Sequence, residues 1–137
     1  MSLRAATWPT MTRPDEAPRS TAATATGIDY AGQNGALAAS DGAAAVAIQA
    51  NGQAVIGGTH TESGQFSSTS VFGLARVNAD GSLDAGFGGG GVLTTRIQGN
   101  DSALVLLIQP DGKILAIGES QNAAGVTDLT LARYLSQ

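Results

Sequence analysis

The run Ile48-Gln49-Ala50-Asn51-Gly52-Gln53 returns sixty positions later as Ile108-Gln109-Pro110-Asp111-Gly112-Lys113. Self-similarity at a fixed period implies supersecondary units that cannot bury an apolar face alone and so stack on their neighbours. The likeness extends beyond the six residues: Asp41 to Gln49 aligns with Asp101 to Gln109, and Gly58 falls on Gly118. Leu74-Ala75-Arg76-Val77 matches Leu131-Ala132-Arg133-Tyr134 at a spacing of 57 instead. The length difference falls between Thr59 to Ser70 and Glu119 to Thr127, polar stretches that read as a variable surface loop.

Short apolar runs bounded by turn residues predict strands at 43–49, 53–58, 71–77, 91–97, 103–109, 113–118 and 127–134, four to a complete unit. Asn51-Gly52 and Asp111-Gly112 supply the positive φ that a tight antiparallel hairpin needs. Gly86 to Gly91 holds five glycines around Phe87, which suits a turn anchored by one aromatic ring. No helix is expected after Asp41, because turn signals interrupt every apolar run. The expected fold is all-β, with about two antiparallel four-stranded units.

Several segments together resemble the delta-60 repeat family: Ala47-Ile48-Gln49, Pro110-Asp111-Gly112-Lys113-Ile114-Leu115, Leu131-Ala132-Arg133-Tyr134, and Asn78 to Gly88 with its Asp80-Gly81-Ser82-Leu83-Asp84 and Phe87-Gly88. The resemblance covers about Gly27 to Gln137. It implies a β-propeller-like arrangement in large secreted or surface proteins with tandem copies. The family carries no established catalytic residues, so none transfer. One departure is that the first copy has Ala50-Asn51-Gly52-Gln53 where Pro-Asp-Gly-Lys is expected.

Unit one spans about 41–100 and unit two about 101–137, which stops after three strands. Gly27 to Leu37 reads as a worn copy of Ser82-Leu83-Asp84-Ala85-Gly86-Phe87 onward, so residues 27–40 are expected to complete unit two, with Gly35 to Ser40 pairing as a strand against the sheet of that unit in the same chain or a neighbour. Residues 1–26, with three prolines and no periodicity, read as a disordered lead or linker. Propellers close with about four to eight blades, so two units need a longer array or copies of the chain. Three chains would make six blades, and open stacking is the alternative.

Composition narrows the partners. Residues 27–137 carry four basic and nine acidic side chains, a balance of −5, and aromatic residues are only 4% of the chain. Nucleic acid and anionic membrane are disfavoured, and base stacking lacks ring platforms. With no cysteine there are no disulfides and no thiolate metal ligands. The N-terminus shows no continuous apolar stretch of signal or spanning type.

No constellation points to catalysis, a metal or a cofactor, and none is assigned. Asp80 and Asp84 lie close in sequence, but they lack the length and terminal Glu of a calcium loop, and aspartates in such turns cap their own backbone. Asp111-Gly112 is a hairpin turn. His60, the only histidine, lies beside Glu62 without a second histidine or a serine elbow, and reads as solvent-exposed in the polar loop. Arg76 and Arg133 are equivalent in the repeat and imply a repeated ion pair with an acid such as Asp84 or Asp128, or else an anion site. Gly88 to Gly91 lacks the Lys and Ser/Thr of a phosphate loop. Trp8 stands in the lead, remote from the repeats.

These readings order three functions. First is a non-enzymatic structural module of an extracellular or surface protein, self-associating as a homo-oligomer through open blade edges, with a trimer favoured. Second is a ligand-binding propeller for glycan or protein, using Thr59 to Ser70. Third is an enzyme on a propeller scaffold, which needs convergent polar groups in a pocket.

Overall fold

The computed structural model describes residues 38–63 and 67–136, which fold as seven β-strands with no helix among them. They are β1 (Ala38–Ile48), β2 (Ala54–Ser63), β3 (Ser68–Val77), β4 (Val92–Thr95), β5 (Asn100–Ile108), β6 (Ile114–Gln121) and β7 (Thr127–Tyr134). Each predicted strand is present. The lead 1–26, Trp8 and the worn copy Gly27 to Leu37 lie outside the described residues.

The strands follow the order β1-β2-β3-β5-β6-β7, with β4 beside β3. Every antiparallel pairing joins strands adjacent in sequence, and the step from β3 to β5 is a single parallel pair, Ser70 with Asn100. The open sheet therefore behaves as a four-stranded unit β1–β4 and a three-stranded unit β5–β7, hinged at one end and folded face onto face. Among the described residues this is an all-β, propeller-like repeat arrangement that does not close on itself.

Two expectations are corrected. Thr59 to Ser70 is mainly strand: β2 runs to Ser63 and pairs residue by residue with β3, from Thr59 opposite Phe72 to Ser63 opposite Ser68. Its threonines are β-branched residues that favour extended backbone, and that preference outweighs the polarity that suggested a loop. Ala38 to Ser40 extend β1 and pair with Ser63 to Thr61 of unit one, so this part of Gly35 to Ser40 does not pair within the chain with the C-terminal unit.

One five-residue turn is used four times. In Gln49–Gln53 the Gly52 N–H donates to the Gln49 carbonyl at 2.9 Å, and Gln49 N–H donates to the Gln53 carbonyl at 2.8 Å. Asn78–Ser82, Gln109–Lys113 and Asn122–Val126 repeat both bonds. The fourth residue is always glycine, at φ 85, 87, 82 and 80°, the left-handed step that closes a three-residue hairpin loop. Asn51, Asp80 and Asp111 each accept the N–H two residues on, at 3.1, 2.9 and 3.2 Å, so the Asn-Gly and Asp-Gly signals have a mechanism. A Cβ on Gly112 would meet Ser136 at an ordinary 3.5 Å, which leaves only the left-handed backbone as a cost. Gly112→Ala is therefore expected to lose about 1 kcal/mol, read as a shift in urea midpoint, and Gly112→Asn less. Equal losses for the two would contradict this account.

The first strand of each unit carries a bulge at the same place, between Ala43 and Ala45 in β1 and between Ala103 and Val105 in β5. The extra residue turns the strand so that the opposite backbone comes close. A Cβ on Gly58 would lie 1.8 Å from the Gly42 carbonyl oxygen, and one on Gly118 would lie 1.9 Å from the Ser102 oxygen. The repeated glycine is thus fixed by the repeated bulge.

The bulge also decides which side chains share a face. In unit two, Ala103, Leu106, Ile114, Ala116, Ala132 and Tyr134 form a back face, and in unit one, Ala45, Ala47, Val55, Gly57, Phe72 and Leu74 form a front face. The two faces meet to make the core, with Phe87 and Leu93 at its side. Leu106 sits against Gly57, where any Cβ would come within 2.9 Å of its methyl groups. Burying such a leucine contributes about 2 kcal/mol. Polar bonds line the junction: Thr59 with Ser102 at 2.7 Å, and the Tyr134 hydroxyl to Thr95 Oγ1 at 3.0 Å. Burial raises the Tyr134 pKa, and the Thr95 bond partly offsets this.

Candidate functional site

The acidic turn is built around a buried arginine. Arg76 on β3 is 3% exposed, its Nε donates to Asp84 Oδ2 at 2.7 Å, and its guanidinium lies 4.7 Å from the centre of the Phe87 ring. Gln53 Nε2 donates to the same carboxylate oxygen at 2.8 Å and to Asn78 Oδ1 at 2.9 Å. Asp84 Oδ1 accepts the Gly86 N–H at 3.0 Å. That N–H is the main cause holding the Asp84 pKa below the ordinary carboxylate value, with Arg76 and Gln53 adding to it against partial burial. Asp80 instead takes the Ser82 hydroxyl at 2.6 Å and its N–H at 2.9 Å, and these lower its pKa. The two aspartates serve different partners, and the turn locks β3 to the glycine cluster. Phe87 is the ring that anchors this cluster, 3% exposed and bonded through its N–H to the Asp84 carbonyl at 2.9 Å.

The expected Arg76 pair is therefore present, with Asp84. Its repeat counterpart Arg133 is exposed, and Asp128 accepts Gln98 Nε2 at 3.3 Å. The stretch that follows Val77 in unit one has no counterpart among the described residues of unit two, so the pair is not repeated there.

His60 corrects another expectation. It is 1% exposed on β2, with Nδ1 2.6 Å from Asp41 Oδ1 and Nε2 3.4 Å from Glu62 Oε1. The pairing of Asp41 with His60 across β1 and β2 brings them together. Unit two places Asp101 opposite Ser120 at the equivalent positions. Asp101 is 1% exposed and accepts the N–H groups of Ile97, Gln98 and Gly99 at 2.7, 3.1 and 3.4 Å, together with the Ser120 hydroxyl. Burial pushes its pKa up, yet these four donors outweigh burial and hold it below the ordinary value. The carboxylate thus pins the link between units to the first turn of β5.

A cleft of about 250 Å³ opens between the two equivalent turns, lined by Gln49, Asn51, Ile108, Gln109, Pro110 and Ser136 among others. Gln49 donates to Ser136 Oγ at 3.2 Å. The amide oxygens of Gln49 and Gln109 are buried and accept no hydrogen bond among the described residues. Both glutamines stand in the repeated six-residue run, yet nothing in a single glutamine announces a cleft, which arises only when two units stack.

Among the described residues, several large apolar side chains are exposed together. On the front face of unit two, Leu129 is 84% exposed and Leu131 59%, whereas their repeat counterparts Phe72 and Leu74 are fully buried under unit two. Val105 and Leu107, counterparts of the half-buried Ala45 and Ala47, are also exposed. At the other end, Val46 and Ile48 on β1 are exposed on the back face of unit one, while their counterparts Leu106 and Ile108 are packed in the core. The β7 edge is open as well: β4 pairs Phe72 to Ala75 of β3, and no described strand pairs the corresponding Leu129 to Ala132 of β7.

Residues 49–87 and 109–137 match a family described as a domain of unknown function (DUF5122) beta-propeller. No curated protein and no solved structure matches the chain. The matched segments contain the four repeated turns with β2 and β3 of unit one and β6 and β7 of unit two, so the chain is a propeller-like repeat similar, unit by unit, to the DUF5122 beta-propeller domain.

Proposed function

We propose that the chain is a non-enzymatic assembly module that self-associates to complete a propeller-like ring, in a secreted or surface protein of the kind the resemblance to delta-60 repeats implies. The carrying observation is the exposed front face of unit two, whose counterpart in unit one is the buried side of the core. Covering an exposed leucine contributes about 1.5–3 kcal/mol. Leu107, Leu129 and Leu131 with Val105 thus offset the lower range of the association cost, about 4 kcal/mol. An open front face, the exposed Val46 and Ile48 and an open β7 edge together are surfaces that folded chains cover.

The test is the solution mass of the full chain by light scattering over a concentration series. Three chains, giving six blades, is the expected result. Very large or fibrous species would replace the ring by an open stack, and a single-chain mass at the highest concentration would end the assembly reading. A second reading, ligand binding, is favoured by the two buried amide oxygens at the cleft between the turns, which suit a ligand offering hydrogen-bond donors.

A further inference from the structure

Asn51-Gly52 lies in the turn that joins β1 to β2, and Asn34-Gly35 is the other Asn-Gly pair of the sequence. We propose that Asn51 is a site of spontaneous deamidation, that opening of this turn sets its rate, and that its product breaks the tie between the turn and the Arg76–Asp84 pair.

The only co-reactant is water. The Gly52 backbone nitrogen gives its proton to solvent base and attacks Asn51 Cγ, forming the N–C bond of a succinimide ring. The bond from Cγ to the side-chain nitrogen breaks, and that nitrogen leaves as ammonia. Water then opens the ring at Cγ to give aspartate, or at the backbone carbonyl to give isoaspartate, in which the main chain runs through the side-chain methylene. Glycine admits the attack because no Cβ crowds its nitrogen. Asn78, Asn100 and Asn122 are followed by Ala79, Asp101 and Ala123 instead.

The closed turn holds both reacting groups apart. Asn51 is exposed to solvent, but the Gly52 N–H is engaged by the Gln49 carbonyl at 2.9 Å. The Asn51 amide is fixed at both ends, with Oδ1 accepting the Gln53 N–H at 3.1 Å and Nδ2 donating to Gln53 Oε1 at 2.7 Å. Reaction therefore belongs to the fraction of molecules in which the turn is open, and local openings cost less than global unfolding.

The product matters because Gln53 also serves the acidic turn. Its Nε2 donates to Asn78 Oδ1 at 2.9 Å and to Asp84 Oδ2 at 2.8 Å, the oxygen that Arg76 Nε uses as well. An ionised carboxylate only accepts, so at position 51 it would set an oxygen against Gln53 Oε1. Turning the Gln53 amide over to repair that contact takes Nε2 away from Asn78 and Asp84. Unit two holds a carboxylate at the equivalent place and pairs it with a cation, Asp111 with Lys113. Asn with Gln and Asp with Lys are matched pairs, and deamidation leaves Asp with Gln. The isoaspartate form further lengthens the loop that the bonds from Gly52 to Gln49 and from Gln49 to Gln53 close.

The test follows the full-length chain in mildly alkaline buffer with and without urea, by peptide mapping that separates the asparagine, aspartate and isoaspartate forms. In urea, Asn51 should convert alongside Asn34; in buffer its conversion should be about tenfold slower or more, because it is confined to the opened fraction. Equal Asn51 rates with and without urea would overturn control by the turn, and an Asn51 that stays intact in urea while Asn34 converts would overturn the site. The consequence is checked with Asn51→Asp, which should lower the urea midpoint, and with Asn51→Asp combined with Gln53→Lys, which should recover only part of the loss, since the ties to Asn78 and Asp84 stay broken. A midpoint for Asn51→Asp equal to that of the wild type would overturn the link to the Arg76–Asp84 pair.

Discussion

Gly118→Ala is expected to destabilise the chain by about 4 kcal/mol or more, in the range reserved for backbone-level disruption. The new methyl carbon would sit 1.9 Å from the Ser102 carbonyl oxygen and 2.9 Å from the Ala103 Cα. Neither obstacle is a side chain that can swing aside, so relief requires moving β5 away from β6 and losing the bulge. Leu106 and Ala103 then leave the core face. Gly58→Ala should behave alike, with its methyl 1.8 Å from the Gly42 oxygen. Gly42→Ala is the control: nothing lies within 4 Å of its Cβ, and the change should stay within about 0.5 kcal/mol. Urea unfolding followed by circular dichroism measures all three, and a Gly118→Ala midpoint equal to that of Gly42→Ala would refute the bulge as the origin of the repeated glycine.

Asp101→Asn should cost roughly 2–3 kcal/mol at neutral pH, the range for hydrogen bonds to a charged group. Asparagine retains one carbonyl oxygen for Gln98, Gly99 and Ser120, but its amide nitrogen then faces the Ile97 N–H, donor against donor. The effect depends on pH in a definite sense. The folded pKa of Asp101 lies below the ordinary 3.8, so its stabilisation is fully present above about 3.8 and is lost as pH falls through the lower folded value. The stability gap between wild type and Asp101→Asn should be constant from pH 7 to about 5 and close in the acid range below about 4. A gap that persists unchanged to pH 2 would mean that the carboxylate charge is not what holds the link.

Much of the fold was legible because its signals are local. Gly52 and Gly112 follow residues whose side-chain oxygens accept the next-but-one N–H, and a hairpin is written in that dipeptide. Arg76 and Asp84 lie eight residues apart, within reach across one turn. Other features need partners far along the chain. The burial of His60 depends on the pairing of β1 with β2, which sets Asp41 beside it, and its polar neighbours Thr59, Thr61 and Glu62 carry no sign of that. Faces were harder still. An alternating reading of Ala103-Leu104-Val105-Leu106-Leu107-Ile108 places Val105 with Ala103, whereas the bulge puts Leu106 there and turns Val105 outward. The exposed front face became visible only once the two units could be compared at equivalent positions.

The pairing pattern bears on the time course of folding. Each antiparallel pairing joins strands consecutive along the chain, and four tight turns lie within the same stretch. Hairpins of this kind form in about 1–10 μs, and early local contacts speed folding because little loop entropy is lost before they form. The junction of the two units comes later, since Leu106 must find Gly57 across some fifty residues. Truncating Leu106 should then slow the final docking step while leaving the hairpins to form at their own rate, so the two halves of the chain are kinetically separate even though one core joins them.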